Sequence, residues 1–117
     1  MATIDTMKSA VVPIGDSSTE LLAAVASGST VVTMLQIGNV DGAAAATVSF
    51  SANKNGAGDV PFLTTLTVNP GEAKVVFSDS AGKLIIVDDG TPDTLDATAS
   101  AAGDLVALIS YIERVTT

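Results

Sequence analysis

Ala46-Thr47-Val48-Ser49-Phe50-Ser51-Ala52 is the stretch that decides the fold. Ala46, Val48 and Phe50 fall on one side of an extended chain, and Thr47, Ser49 and Ser51 on the other. The alternation runs from Ala44 to Ala52, and period two over that length marks a strand with one buried and one wet face. Working toward the C-terminus, Asn53–Asp59 carries two glycines and reads as a long hairpin loop. Val60–Val68 alternates again, with Val60, Phe62, Leu66 and Val68 on one side. Asn69-Pro70-Gly71-Glu72 is a β-turn, because Pro presets the first central position and Gly tolerates positive φ at the second. Short strands follow at Ala73–Phe77 and Lys83–Val87, separated by a turn at Asp79–Gly82. After the Asp88–Asp93 loop, Thr94–Ser100 alternates Leu95, Ala97 and Ala99 against Asp96, Thr98 and Ser100. Leu105–Val115 is the last and longest apolar strand.

Toward the N-terminus, Thr30–Val40 is long and β-branched. Val31, Thr33, Leu35 and Ile37 share one face and Val32 and Met34 the other, which predicts a central strand. Residues 18–26 are open to two readings. Ser17 with Glu20 resembles a capping box stopped by Gly28, and a strand through Leu21, Ala23 and Val25 fits as well. The strand is favoured because every other segment is strand-like. Ser9–Ile14 is a first strand whose Pro13 places it at an edge or a strand end. Residues 1–8 are polar and aperiodic and read as a flexible N-terminal arm. The expectation is one domain over 9–117, an all-β antiparallel sandwich or jelly-roll-like barrel of about eight strands, with turns every 8–12 residues. Its small inward side chains leave little room for a ligand cavity.

Composition narrows function by subtraction. The 117 residues include no His, Cys or Trp, one Tyr and one Arg. Thirteen acidic residues against five basic ones give a net charge of −8, which disfavours nucleic-acid binding. No apolar run reaches the roughly 20 residues of a membrane helix. The N-terminus lacks a basic start and an apolar centre, so neither a signal peptide nor a membrane partner is expected. Ser residues are abundant, but the chain has no His base, and no Lys sits in a Ser-x-x-Lys context on a helix. Catalysis and cofactors are therefore not expected.

Several residues remain as candidates. Asp88, Asp89 and Asp93 offer oxygen ligands for calcium on one loop, but the twelve-residue helix–loop–helix pattern is absent, and turn capping is the plainer reading. The same loop with Asp96 supplies paired carboxylates, without the aromatic platform that sugar hydrolysis needs. Candidate interface residues are Met1 and Lys8 in the arm, Asn53, Lys54 and Asn55 at a loop tip, and Arg114 on the last strand. Lys54 reads by default as a solvated lone cation. Arg114 reads either as an outward charge that discourages edge pairing or as half of an intersubunit ion pair. Tyr111 shares a face with Leu105 and Ile109 and is expected at the core or its rim.

The chain resembles a group of small β-rich virion structural proteins of tailed bacteriophages. Three stretches carry the resemblance: Ser27–Val40 with Ala43–Phe50, Leu66–Glu72, and Leu95–Glu113 with its Ser110-Tyr111-Ile112-Glu113 ending. The group places a Gly-Asp before the penultimate strand, where this chain reads Asp89-Gly90-Thr91-Pro92-Asp93. The resemblance implies a non-enzymatic capsid decoration (cement) protein on the outside of the head, located in the virion after assembly in the host cytoplasm. The implied partners are the major capsid protein or other virion proteins, with homo-oligomerisation, a trimer being one form. The alternatives are a neck, tail or fibre-associated component, or a bacterial carbohydrate- or calcium-dependent binding module.

Overall fold

The computed structural model describes residues 2–78 and 84–116. The predicted turn at Asp79–Gly82 and the first residue of the predicted Lys83–Val87 strand lie outside them. Among the described residues nine strands run in chain order: β1 (Thr3–Pro13), β2 (Thr19–Ala23), β3 (Gly28–Asn39), β4 (Ala46–Asn53), β5 (Asp59–Val68), β6 (Ala73–Phe77), β7 (Leu84–Val87), β8 (Thr94–Ala99) and β9 (Leu105–Thr116). All pairings are antiparallel. One sheet has the order β1-β9-β3-β6, with β7 also pairing β3, and the other β2-β8-β4-β5. The molecule is an all-β sandwich, as its alternation and turn spacing predict.

The core lies between the sheets. Ala46, Val48 and Phe50 of β4 and Leu95, Ala97 and Ala99 of β8 face Val32, Leu35 and Ile37 of β3 and Leu105, Ala107 and Ile109 of β9. Tyr111 packs at the rim of this cluster. The predicted Asn69–Glu72 turn forms: Glu72 N donates to the Asn69 carbonyl at 2.9 Å, and Gly71 takes a φ of 71°. Asn39, near the end of the predicted Thr30–Val40 strand, is a buried tie. Its Nδ2 donates to the carbonyls of Ala44 (3.0 Å) and Val68 (2.9 Å), and its Oδ1 accepts from Asp41 N (2.9 Å).

Three expectations are corrected by the register. First, residues 3–8 are no arm. They are half of β1, paired residue for residue with β9 from Thr3↔Thr116 to Pro13↔Val106. Polar side chains occupy a strand here because β9 supplies the ladder. Second, β3 is a central strand, but Val31 and Thr33 do not share a face with Leu35. A bulge between Val32 and Met34 puts Thr30 and Val32 on the buried side with Leu35 and Ile37. The extra residue, Thr33, donates its hydroxyl to the Ser110 carbonyl at 3.0 Å. A similar slip between Glu20 and Leu22 buries both Leu21 and Leu22 in β2, settling residues 19–23 as strand with a shifted face. Third, β5 does not turn one apolar face inward. Two register shifts leave Val60 exposed and Phe62 half-exposed. The Phe62 ring bridges the open side between Phe50 (6.2 Å between centroids) and Phe77 (5.7 Å).

Candidate assembly surface

The long sheet outreaches the short one. β1, β9 and β3 have 11, 12 and 12 residues, whereas β2 and β8 have five and six. The inner side of β3 is buried from Thr30 onward, so the part without a facing layer is the end where Thr3–Thr6 of β1 pairs with Glu113–Thr116 of β9. The molecule measures 53 × 27 × 22 Å accordingly. On the overhang's inner side, Lys8 Nζ pairs with Glu113 Oε1 at 2.8 Å, and Ile4 stays 54% exposed. On its outer side, Arg114 holds Asp5 through two bonds of 2.8 Å, Nε to Oδ1 and Nη2 to Oδ2. The hydrogen-bonded Arg114 guanidinium holds the Asp5 carboxyl below the ordinary carboxylate range, and Glu113 raises the Lys8 ammonium.

These contacts place two of the candidate residues. Lys8 and Arg114 have partners inside the chain, and β9, flanked by β1 and β3, is no edge for Arg114 to guard. Met1 lies outside the described residues. The Asn53–Asp59 loop is tethered rather than loose. Asn55 N donates to Asp93 Oδ1 at 2.7 Å and Gly58 N to Asn53 Oδ1 at 3.3 Å. Lys54 is no lone cation, since its Nζ sits 2.9 Å from Asp93 Oδ2 and 2.9 Å from the Ile85 carbonyl.

The proposed calcium triad is spent on the same task. Asp93, only 6% exposed, also accepts from Val87 N at 3.1 Å. Asp88 accepts from Ser27 N (2.9 Å) and Gly90 N (3.2 Å), while Asp89 points to solvent. Among the described residues no group of three acidic side chains is placed to hold a metal ion. The aspartates cap turns and lock the 53–59 loop onto the 88–93 loop.

What the fold leaves open is one edge and one face. Among the described strands, the end strands β2, β5, β6 and β7 are each blunted. β2 is short and bulged, β5 carries Pro61 and two register shifts, and β6 and β7 are short and share one flank of β3. Bulges, Pro and shortness are the devices that protect sheet edges. β1 has 11 residues and no register shift.

The polarity of its edge follows from one bond. Ile14 N donates to the Leu105 carbonyl at 2.9 Å, continuing the β1–β9 register. Antiparallel ladders alternate, so even-numbered residues of β1 bond β9. Thr3, Asp5, Met7, Ser9 and Val11 turn their N–H and C=O groups outward. Pro13, which has no N–H, falls on the outward set and costs the ladder nothing.

The outer face of the same sheet is apolar in rows. Met7, Ile112, Val31 and Ile85 stand side by side across four strands, and Val11, Leu108, Gln36 and Val75 form a second row. Met7 is 84% exposed, Val11 66% and Ile85 54%. Between the rows lies a shallow groove of about 520 Å³ lined by Met7, Ser9, Thr33, Ser110 and Ile112. Neither row was read from sequence, because each is assembled from four strands far apart in the chain.

The chain matches no protein-family model, and no curated protein matches it in sequence. Among solved structures, it superposes on a chain from the Bacillus endospore appendages, described as a novel family of disulfide-linked pili. The TM-score is 0.56 at 13% identity, over 97% of this chain and 88% of that one. A chain from the infectious bursal disease virus Gt strain gives a TM-score of 0.42 at 14% identity, over 97% of this chain and 32% of that one, too low to compare folds. The likeness to the appendage chain is one of fold, and the present chain has no cysteine with which to form a disulfide link.

Proposed function

We propose that this chain is a non-enzymatic structural subunit that works by assembly, as a decoration (cement) protein on the outside of a bacteriophage head. The observation that carries the reading is the pairing of an unguarded 11-residue edge with an apolar outer face on one sheet. Contiguous exposed apolar surface of this kind marks contact with another macromolecule. The side chains of the usual acid–base, nucleophilic and redox sites, His and Cys, are missing from the sequence. The major capsid protein is the proposed partner, met by the outer face around Met7 and Ile112. The 53–59 loop, with Asn53 at its start and Lys54 and Asn55 held by Asp93, is a second contact.

Mixing the purified protein with undecorated capsids tests this. The expected result is saturable binding at many copies per particle. No binding, together with absence of the protein from virions, sinks the reading. A second reading, a tail- or fibre-associated component, is favoured by the 53 Å length and by the fold shared with an appendage protein. Electron microscopy of labelled particles separates the two, since decoration covers the faces of the head whereas a neck or tail protein marks one vertex.

A further inference from the structure

We infer that the β1 edge binds a second copy of itself, antiparallel, about a two-fold axis through Met7. The inference deepens the assembly reading by naming the partner and the register.

An antiparallel pair about an axis normal to the sheet keeps outer face with outer face, so odd residues of β1 must meet odd residues. With Met7 opposite Met7, Thr3 meets Val11 and Asp5 meets Ser9 of the second copy, and the reverse. Each such pair exchanges both backbone bonds, about ten in all. Every outward N–H and C=O from Thr3 to Val11 gains a partner, and Pro13, without a donor, stays outside the paired span.

Three further observations select this occupant and register. The apolar row Met7–Ile112–Val31–Ile85 meets its own copy at the axis, giving one unbroken row across eight strands. The charges of β1 are already matched by β9, through Asp5–Arg114 and Lys8–Glu113, so pairing leaves no lone charge at the seam. Ile4, exposed on the inner side of the overhang, comes to lie opposite Ala10 of the second copy, beside the covered part of that copy's sheet. An axis through Ser9 would also join apolar rows, Met7 to Val11. It sets Pro13 opposite Asp5 and loses donors.

The test is a charge swap on the axis. Met7→Asp and Met7→Lys change a residue that is 84% exposed, so the monomer fold is kept, and circular dichroism checks this. Each variant alone is expected to be monomeric by sedimentation at concentrations where the native chain dimerises, with at least a tenfold weaker self-association. An equimolar mixture is expected to restore the dimer.

A second measurement fixes the register without charge. The native chain has no cysteine, so Met7→Cys and Ser9→Cys each give one thiol. Residues opposite in a bonded pair lie about 5.5 Å apart at Cα, within disulfide reach. Met7→Cys is expected to form the intermolecular disulfide at least ten times faster than Ser9→Cys. A native chain that stays monomeric, a mixture that fails to associate, or faster linking at Ser9 overturns the inference. Failure here with capsid binding intact leaves the decoration reading standing, and a Met7-centred dimer that binds no capsid does the opposite.

Discussion

Two buried carboxylates set the response of this protein to acid, with opposite signs. Burial pushes the Asp93 carboxyl up, but the Lys54 ammonium and the amides of Val87 and Asn55 outweigh it and hold the group below its ordinary value. Its contribution is present above the ordinary carboxylate pKa and is lost as pH falls through the lowered one. Asp96 is raised, by burial first and then by Asp59 and Glu20, against the Thr94 hydroxyl bond of 2.9 Å. Its neutral form is favoured in the fold, so its contribution is present below the ordinary pKa and is lost as pH rises through the raised one. Asp96→Asn is therefore expected to melt a few degrees higher than the native chain at neutral pH, with the difference gone at about pH 3. Asp93→Asn is expected to cost about 2–3 kcal/mol at neutral pH, the worth of charged hydrogen bonds withdrawn from a buried site, and less at about pH 3. Melting curves across that range check both. Equal slopes for the two variants would contradict the assignment.

Elements in this fold are shaped by where they slip. β3 is buried on one side along its whole length only because Thr33 is squeezed out of register and tied to Ser110. The start of the same strand depends on Gly28. A Cβ there would strike the Arg114 carbonyl oxygen of β9, and Val25 closes the other side. Gly28→Ala is thus expected to destabilise by about 2–3 kcal/mol, because backbone cannot move aside as a side-chain tip can. Denaturant unfolding measures it, and a neutral result would mean that the β3–β9 seam is slack at this end. The alternation of β4 was legible because its partners leave it regular on the core side. β2, β3 and β5 were legible as strands but not as faces. A bulge reverses the inward side midway, and it is placed by cross-strand contacts that the local sequence does not contain.

At the scale of the molecule, self-association works against charge. A formal charge of −8 makes two copies repel, while the proposed seam is apolar and internally neutralised. Salt should therefore strengthen pairing. Screening lengths shrink from about 20 Å to about 4 Å between about 20 mM and about 500 mM salt, and the dimer dissociation constant is expected to fall severalfold over that interval. Sedimentation at both salts reads it. A dimer that weakens with salt would place ion pairs, not strand edges, at the contact.

The sequence by itself determined the class of fold, most of the strands among the described residues, the Asn69–Glu72 turn and the poverty of reactive side chains. Period two and turn chemistry are properties of neighbours along the chain, and they survive any tertiary arrangement. Tertiary structure alone decided that residues 3–8 join the sheet, that Lys54, Lys8 and Arg114 are held by partners 39, 105 and 109 positions away, and that β1 is the unguarded edge. Each of these depends on which strand lies beside which. That choice is made by packing between distant segments, and no window of the sequence holds both halves of the pair.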